Sequence, residues 1–351
     1  MGQLSDNLKR ISVFLKDKDK KNPFLMVKEV LELWILKKSF PIHYFGRFLY
    51  RKEVQKPQDF LTMKEYFSII HAPIHNKEEY IYLLENKLSF WLFCKENQIP
   101  TPEVFSYNMQ NTFFVKGHKT RIDSKDGLIV FFSDLFVETG QSKIFIKPLA
   151  GCMGKQIFMI TPENLADKIK KYGDIILQGA TIHQIAVVQH PKIQEIYPNS
   201  VNTIRINTYI DNDHKPHVLV NFMRFGTGGS NVDNVSSGGF YVQINQQTEH
   251  LDKAGSQSMK FGGEVYYRHP DTGFVFEGFK IPFLNEAKVL CSELALQIPN
   301  RLIGWDIAIT PLGPIIIEGN DQPGLLYGEM GYGGFAKHPL FKEMLTNIKN
   351  Q

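Results

Sequence analysis

Gly304-Trp305-Asp306-Ile307-Ala308-Ile309-Thr310-Pro311-Leu312-Gly313-Pro314-Ile315-Ile316-Ile317-Glu318-Gly319-Asn320 reads as two β-strands joined by a tight turn. If Pro311, Leu312 and Gly313 form a three-residue loop, Thr310 pairs with Pro314, and counting back in register puts Asp306 opposite Glu318. Opposed side chains lie roughly 4.5 to 5.5 Å apart at Cβ, so two carboxylates there repel unless a cation sits between them. Asn320 shares the face of Glu318, whereas Ile307, Ile309, Ile315 and Ile317 fill the other. Asp306, Glu318 and Asn320 together offer the hard oxygen donors that suit Mg²⁺ while leaving coordination positions for phosphate oxygens and water. The alternative is a surface hairpin with ordinary solvated acids, but such a hairpin seldom aligns three oxygen donors behind an apolar face.

Earlier in the chain, Lys143-Ile144-Phe145-Ile146-Lys147 reads as a strand that sends Ile144 and Ile146 to the core and Lys143, Phe145 and Lys147 to the opposite face. It runs into Pro148-Leu149-Ala150-Gly151-Cys152-Met153-Gly154-Lys155. There Gly151 and Gly154 let backbone amides approach a phosphate, and Lys147 and Lys155 supply positive charge. The spacing is not that of a Walker A loop, and alone it is equally a plain glycine hairpin. Cys152 has no paired His/Asp signature and reads as a packing residue. In Val201–Ile210, Arg205 leaves the core side, where a guanidinium can brace phosphate oxygens during phosphoryl transfer. Arg224, on the returning strand His217–Phe225, is a second candidate clamp; a structural salt bridge is the alternative for each.

The surrounding chain sets limits. Its 351 residues, 43% hydrophobic, can bury a large core. A net charge of +4 from 40 basic and 36 acidic residues is too mild to argue for nucleic acid, though it favours anionic ligands. Three scattered cysteines fit a reducing, cytoplasmic setting and neither a disulfide framework nor a CxxC zinc site. The N-terminus lacks a signal-peptide apolar region, and no apolar run is long enough for a transmembrane segment. His71 and His75 have zinc-compatible spacing, but Pro73 lies between them and no third ligand is obvious.

Residues 1–80 read as a helical N-terminal lead-in, with Val27, Val30, Leu31, Trp34 and Ile35 at helical spacing and a break at Pro41. Between Phe24 and Lys56, aromatics alternate with lysines and arginines. That surface suits peripheral membrane contact or an anionic lipid-linked substrate; alternatively its aromatics pack the lead-in against the body. A helix follows at Lys87–Gln98, then strands near Glu103–Tyr107, Thr112–Val115 and Gln156–Ile160, a helix from Asn164 through Lys171, a strand at Asp174–Gln178, and a helix at Leu284–Gln297.

Strand-lysine-glycine loop, strand-arginine and Asp…Glu-x-Asn hairpin stand in an order that resembles the ATP-grasp superfamily. Asn86-Lys87 leading to Ile99-Pro100-Thr101-Pro102 is similar to its usual entry. More closely, Tyr197–Arg205, Val232–Gly239, His269–Gly273 and Gly304–Thr310 resemble the sugar-transfer-associated ATP-grasp family. The resemblance implies an α+β ATP-grasp fold whose two lobes clasp ATP. A body over 81–351 would divide into an N-terminal lobe (81–140), a glycine-loop and hinge subdomain (141–195) and a metal-binding lobe (196–351).

The same resemblance implies ATP and Mg²⁺ as cofactors. Lys147, Gly151, Gly154 and Lys155 would sit at the phosphates, and Gln178, Gly179 and Ala180 at the adenine hinge, where members often carry Glu. Arg205, Lys147 and Arg224 would be catalytic, with Asp306, Glu318 and Asn320 on the metal. The expected activity is a carboxylate–amine ligase working through an acyl phosphate, on small-molecule carboxylate and amine substrates. One of these is expected to be a sugar nucleotide, lipid-linked glycan or other polysaccharide precursor, and the other an amino acid. A hydroxyl-phosphorylating ATP-grasp kinase and a non-catalytic ATP-binding module are the alternatives.

Overall fold

The computed structural model describes residues 2–151 and 157–350, so the expectations for Cys152, Gly154 and Lys155 lie outside the described residues. The N-terminal part is helical, as expected. It begins with α1 (Gly2–Lys16) and α2 (Pro23–Lys37) and continues through short helices to Lys87–Glu96. Asn22 caps α2 with Pro23 at its first turn, and Thr62 and Glu65 form a capping box on Met63–Ile70. Tyr44, Leu49, Tyr50 and Phe60 form a small core with Leu33 and Met259. The lead-in aromatics divide: Tyr44, Tyr50 and Phe60 are buried, whereas Phe24, Trp34 and Phe40 face outward.

Among the described residues the strands form two antiparallel sheets. The first comprises β1 (Val104–Met109), β2 (Thr112–Val115), β3 (His118–Arg121), β4 (Ile144–Pro148), β5 (Phe158–Ile160) and β6 (Ala180–Ile185), in the order β3-β2-β1-β6-β4-β5. Because β6 lies between β1 and β4, the stretches 81–140 and 141–195 share one sheet. Helices Lys125–Thr139 and Leu165–Gln178 cover it through Phe132, Leu135, Ile169 and Ile176 against Ile144 and Ile146. Asp174–Gln178 is therefore the end of a helix, not a strand. Leu165, Ile169, Gly173 and Ile176 recur at helical spacing on its buried face, and Gly173 lets that face approach Lys125, whose Cγ would lie 2.9 Å from an added Cβ.

The second sheet comprises β7 (Ile204–Ile210), β8 (Pro216–Phe225), β9 (Phe240–Ile244), β10 (Leu251–Gln257), β11 (Val265–Tyr266), β12 (Leu302–Thr310) and β13 (Gly313–Asn320), ordered β11-β10-β9-β8-β7-β12-β13. Every residue of β7 is buried, because both faces of the sheet are covered. Helix Leu284–Ala295 packs beneath Ile204, Ile206, Ile303 and Ile307, and Trp305 fills the same core with its indole N–H donating to Thr208 Oγ1 at 2.8 Å. Helices Met63–Ile70 and Pro339–Lys349 close the far end over Tyr209, Val220 and Leu302. The other end of the sheet, carrying Arg205, Arg224 and Asp306, faces the first sheet across a cleft.

Candidate active site

The β12–β13 hairpin reaches the expected Asp306–Glu318 pairing by an unexpected route. Its loop has two residues, Pro311 and Leu312, with Thr310 opposite Gly313. Ile307 then pairs with Ile316 while Asp306 pairs with Glu318, leaving Ile317 as a bulge. Without the bulge a two-residue turn would oppose Asp306 to Ile317 and turn Glu318 towards the Trp305 side. The bulge also changes the apolar face: Ile316 is buried in the core, whereas Ile317, expected there, lines the cleft beside Glu318. Ile315 is half-buried.

Arg205 stands opposite Asp306 across the β7–β12 pair, and Arg224 comes from the adjoining β8. Arg205 Nε donates to Asp306 Oδ1 at 2.5 Å and Nη1 to the Pro323 carbonyl at 3.0 Å; Arg224 Nη2 donates to Asp306 Oδ2 at 2.7 Å. Asp233, not singled out from the sequence, accepts from Thr203 N and Oγ1, and Arg224 donates to that same Oγ1. Each guanidinium has five N–H donors, so both retain some for an anion. Burial would raise the Asp306 carboxyl, but Arg205 and Arg224 outweigh it and hold the group well below the usual range. Burial and then the Asp306 charge push Glu318 up, against the opposing pull of Lys87 and Arg224. Burial also lowers Lys147 to about 8, partly countered by Glu318.

Two cavities meet at Glu318. The smaller, about 120 Å³, has Phe145, Ile185, Val187 and Val201 as apolar walls with Lys147 and Asp306 at its polar end. The larger, about 560 Å³, mixes Leu84, Phe222 and Val235 with polar side chains that include Arg205, Arg224, Tyr66, Tyr327, Asn234 and Asp321. Lys87, Gly151, Arg224, Asn234 and Glu318 border both. The sequence marks Lys87 only as part of the chain's entry to the body. Its amide donates to Leu149 O and its Nζ to Gly151 O, which ties a helix start to the glycine loop.

The structure thus gathers Lys147, Gly151, Arg205, Arg224, Asp306, Glu318 and Asn320 along one cleft. Gln178, Gly179 and Ala180 line neither cavity: Gln178 ends a helix, and Ala180 begins β6 beside the glycine loop, its carbonyl accepting from Leu149 N at 2.9 Å. The apolar wall comes instead from Ile185 and Val187, where β6 leaves the sheet. The signal for it was the strand-like run Thr181–Val188, bounded by Gly179 and Pro191.

The donor set can be tested for a hard divalent ion. Among the described residues no three His, Cys, Asp or Glu side chains converge, so any such site rests on two carboxylates and an amide. The pair fits: Asp306 and Glu318 stand opposite each other, and the Asp306 charge raises the Glu318 carboxyl, a repulsion that a cation between facing carboxylates relieves. Asn320 Nδ2 donates to Gly304 O at 3.3 Å, which leaves the amide oxygen as its coordinating atom. Asp306 keeps lone pairs beyond those the arginines use.

A family model described as sugar-transfer associated ATP-grasp matches residues 67–348. The chain belongs to the sugar-transfer associated ATP-grasp family. Its α+β architecture is the ATP-grasp fold, with two lobes built on the two sheets. D-alanyl-alanine synthetase A from Vibrio cholerae O1 biovar eltor is similar over 77% of this chain and 66% of its own, at 13% identity and TM-score 0.46. The D-alanine-D-alanine ligase from Coxiella burnetii is similar over 77% and 59%, at 10% identity and TM-score 0.42. For D-cycloserine synthetase DcsG the figures are 78%, 73%, 11% and 0.43. The chain spans less than two thirds of the length of the first two structures. A search of curated proteins found no match.

Proposed function

We propose that this ATP-grasp protein is an ATP-dependent carboxylate–amine ligase that forms an amide through an acyl phosphate. The observation carrying the proposal is the junction at Glu318, where a slot with an aliphatic and aromatic wall, Lys147 and Asp306 meets a larger cavity that Arg205 lines, with Arg224 on both. Adenine would lie against Phe145, Ile185 and Val187, with the phosphates directed at Lys147, Lys87 and Gly151. The second cavity would admit the carboxylate substrate beside the free N–H groups of the two arginines.

A carboxylate oxygen then attacks the γ-phosphorus as the bond to the β,γ-bridging oxygen breaks and ADP leaves. The amine nitrogen adds to the acyl carbon, phosphate departs, and the amine proton is released. The reaction asks the protein for alignment and for cations near the transferring oxygens rather than for a nucleophile. Arg205 and Arg224 supply that charge and, anchored through Asp306 and Thr203, hold their orientation. Mg²⁺, held by Asp306, Glu318 and Asn320, would neutralise phosphate charge.

Asn234, Asp321 and the tyrosine hydroxyls of the larger cavity could hydrogen-bond a hydroxyl-rich acid. The family's association with sugar transfer supports a polysaccharide precursor as the acid and an amino acid as the amine. Incubation with ATP, candidate sugar acids and hydroxylamine tests the proposal: hydroxamate appearing with ADP supports it. A stable phosphorylated alcohol would replace it with a kinase, and the absence of ADP with a binding module.

A further inference from the structure

Helix α2 is apolar on two sides: Leu33, Met26 and Val30 pack on the small N-terminal core, and a second apolar face is left outside. Its Glu29 is 7% exposed and is held by Lys21 Nζ at 2.8 Å and by the Tyr44 hydroxyl at 2.6 Å, while Phe24 is 87% and Ile35 80% exposed. Phe24, Val27, Leu31, Trp34 and Ile35 recur at helical spacing, so they form one outward apolar stripe. Helix α1 repeats the arrangement: Phe14 packs inward on Phe45 and Tyr50, while Leu8, Ile11 and Leu15 line its exposed side. Neither stripe resembles the scattered apolar residues of an ordinary surface.

Charge indicates what covers them. Residues 1–60 hold 13 Lys/Arg against 7 Asp/Glu, whereas the remaining 291 residues hold 27 against 29, so the net positive charge of the chain resides in this segment. Lys9 and Lys16 flank the α1 stripe, and Lys28 and Lys38 adjoin that of α2; all four are exposed. A second copy of this chain would bring like charges together, whereas an anionic bilayer would meet both the apolar stripe and its basic margins. An apolar helix face edged by lysines and carrying Trp and Phe is the form of an interfacial helix.

We infer that α1 and α2 form a docking surface for anionic lipid bilayers, laid on the interface rather than through it. Among the described residues no helix is long and apolar enough to cross a membrane. The segment lies largely before the family match, which begins at residue 67. It is nevertheless fixed to the body: Arg51 Nη2 donates to Gly263 O, and Arg47 is ion-paired with the buried Glu329, which also accepts from Leu61 N. Docking would therefore set the orientation of the cleft relative to the lipid surface.

The chain carries its own probe. Of its three tryptophans, Trp91 and Trp305 are buried and Trp34 is 49% exposed, so a change in emission on vesicle binding reports α2. Full-length protein mixed with vesicles containing phosphatidylglycerol is expected to co-sediment and shift its emission to the blue; vesicles of phosphatidylcholine alone should bind far less. Leu31→Glu/Ile35→Glu should abolish sedimentation while retaining cooperative melting. Lys9→Glu/Lys16→Glu should weaken it by on the order of tenfold or more. The inference is overturned if neither vesicle binds, if both bind equally, or if light scattering shows a wild-type dimer that Leu31→Glu/Ile35→Glu makes monomeric. None of these outcomes depends on the ligase assignment.

Discussion

Glu318 faces Asp306 across the β12–β13 hairpin because Ile317 is extruded between a regular outer ladder and the shifted inner one. The bulge places an isoleucine and a glutamate on the same side of one strand, which strict alternation forbids. It delivers a carboxylate and an apolar wall to the cleft together.

Exchanging the roles of neighbouring isoleucines tests that geometry. Ile316→Ala removes a fully buried side chain and is expected to cost about 2 to 4 kcal/mol of stability. Ile317→Ala should cost less than about 1 kcal/mol yet weaken nucleotide binding, because it lines the cleft. Denaturant melts paired with nucleotide titrations separate the two, and the opposite pattern would show a regular, unbulged register.

Glu318→Gln should lower turnover by on the order of 10²-fold or more. The native carboxyl is raised by burial and by Asp306, so the neutral amide relieves repulsion. The melting temperature is expected to hold or rise while activity is lost, whereas a drop in both would make the residue structural.

Lys147 would give the proposed nucleotide site a pH dependence. Burial lowers its ammonium to about 8, and phosphate binds the charged form. In the free protein that form dominates below about pH 8 and is lost above it, so ADP affinity should fall by up to about tenfold per pH unit in the alkaline range. Lys147→Met should bind weakly and without this dependence. The shift has a converse effect on stability: between about 8 and the ordinary lysine value of 10.5 the unfolded chain binds more protons, so native stability contributed by this group rises with pH.

Lys87→Ala tests the tie between helix and glycine loop. Losing the bond to Gly151 O and a charge bordering both cavities should raise the nucleotide dissociation constant by about tenfold, with little effect on melting because the side chain is partly exposed. Titration calorimetry on both proteins measures it, and unchanged affinity would leave Lys87 outside the site.

Much of the body was legible because buried strands announce themselves by alternation. Ile144 and Ile146 sank into one core and left Lys147 on the cleft face, and Ile204 and Ile206 did the same for Arg205. Legibility failed where tertiary contacts overrule local pattern. The helix expected to end at Lys171 runs on to Gln178, with Gly173 on the face that approaches Lys125, so the strand expected at Asp174–Gln178 is helical, and Ile185 and Val187 line the cleft. The pairing of Asp306 with Glu318 was anticipated from a longer loop than the one present; turn and bulge differ from that expectation by one residue each and cancel. Glu29 ran against pattern altogether, since a helix that buries its acid is recognised only once Lys21 and Tyr44 are seen around it.

The proposed nucleotide site is magnesium-dependent and lies at the meeting of Asp306, Glu318 and Lys147. Calorimetric titration of ADP into wild-type protein and Glu318→Gln, each with and without Mg²⁺, measures it most directly. Wild-type protein should bind ADP markedly more tightly with the ion, and the variant should lose that enhancement while still melting cooperatively. Binding indifferent to Mg²⁺, or an enhancement that survives in Glu318→Gln, would contradict it.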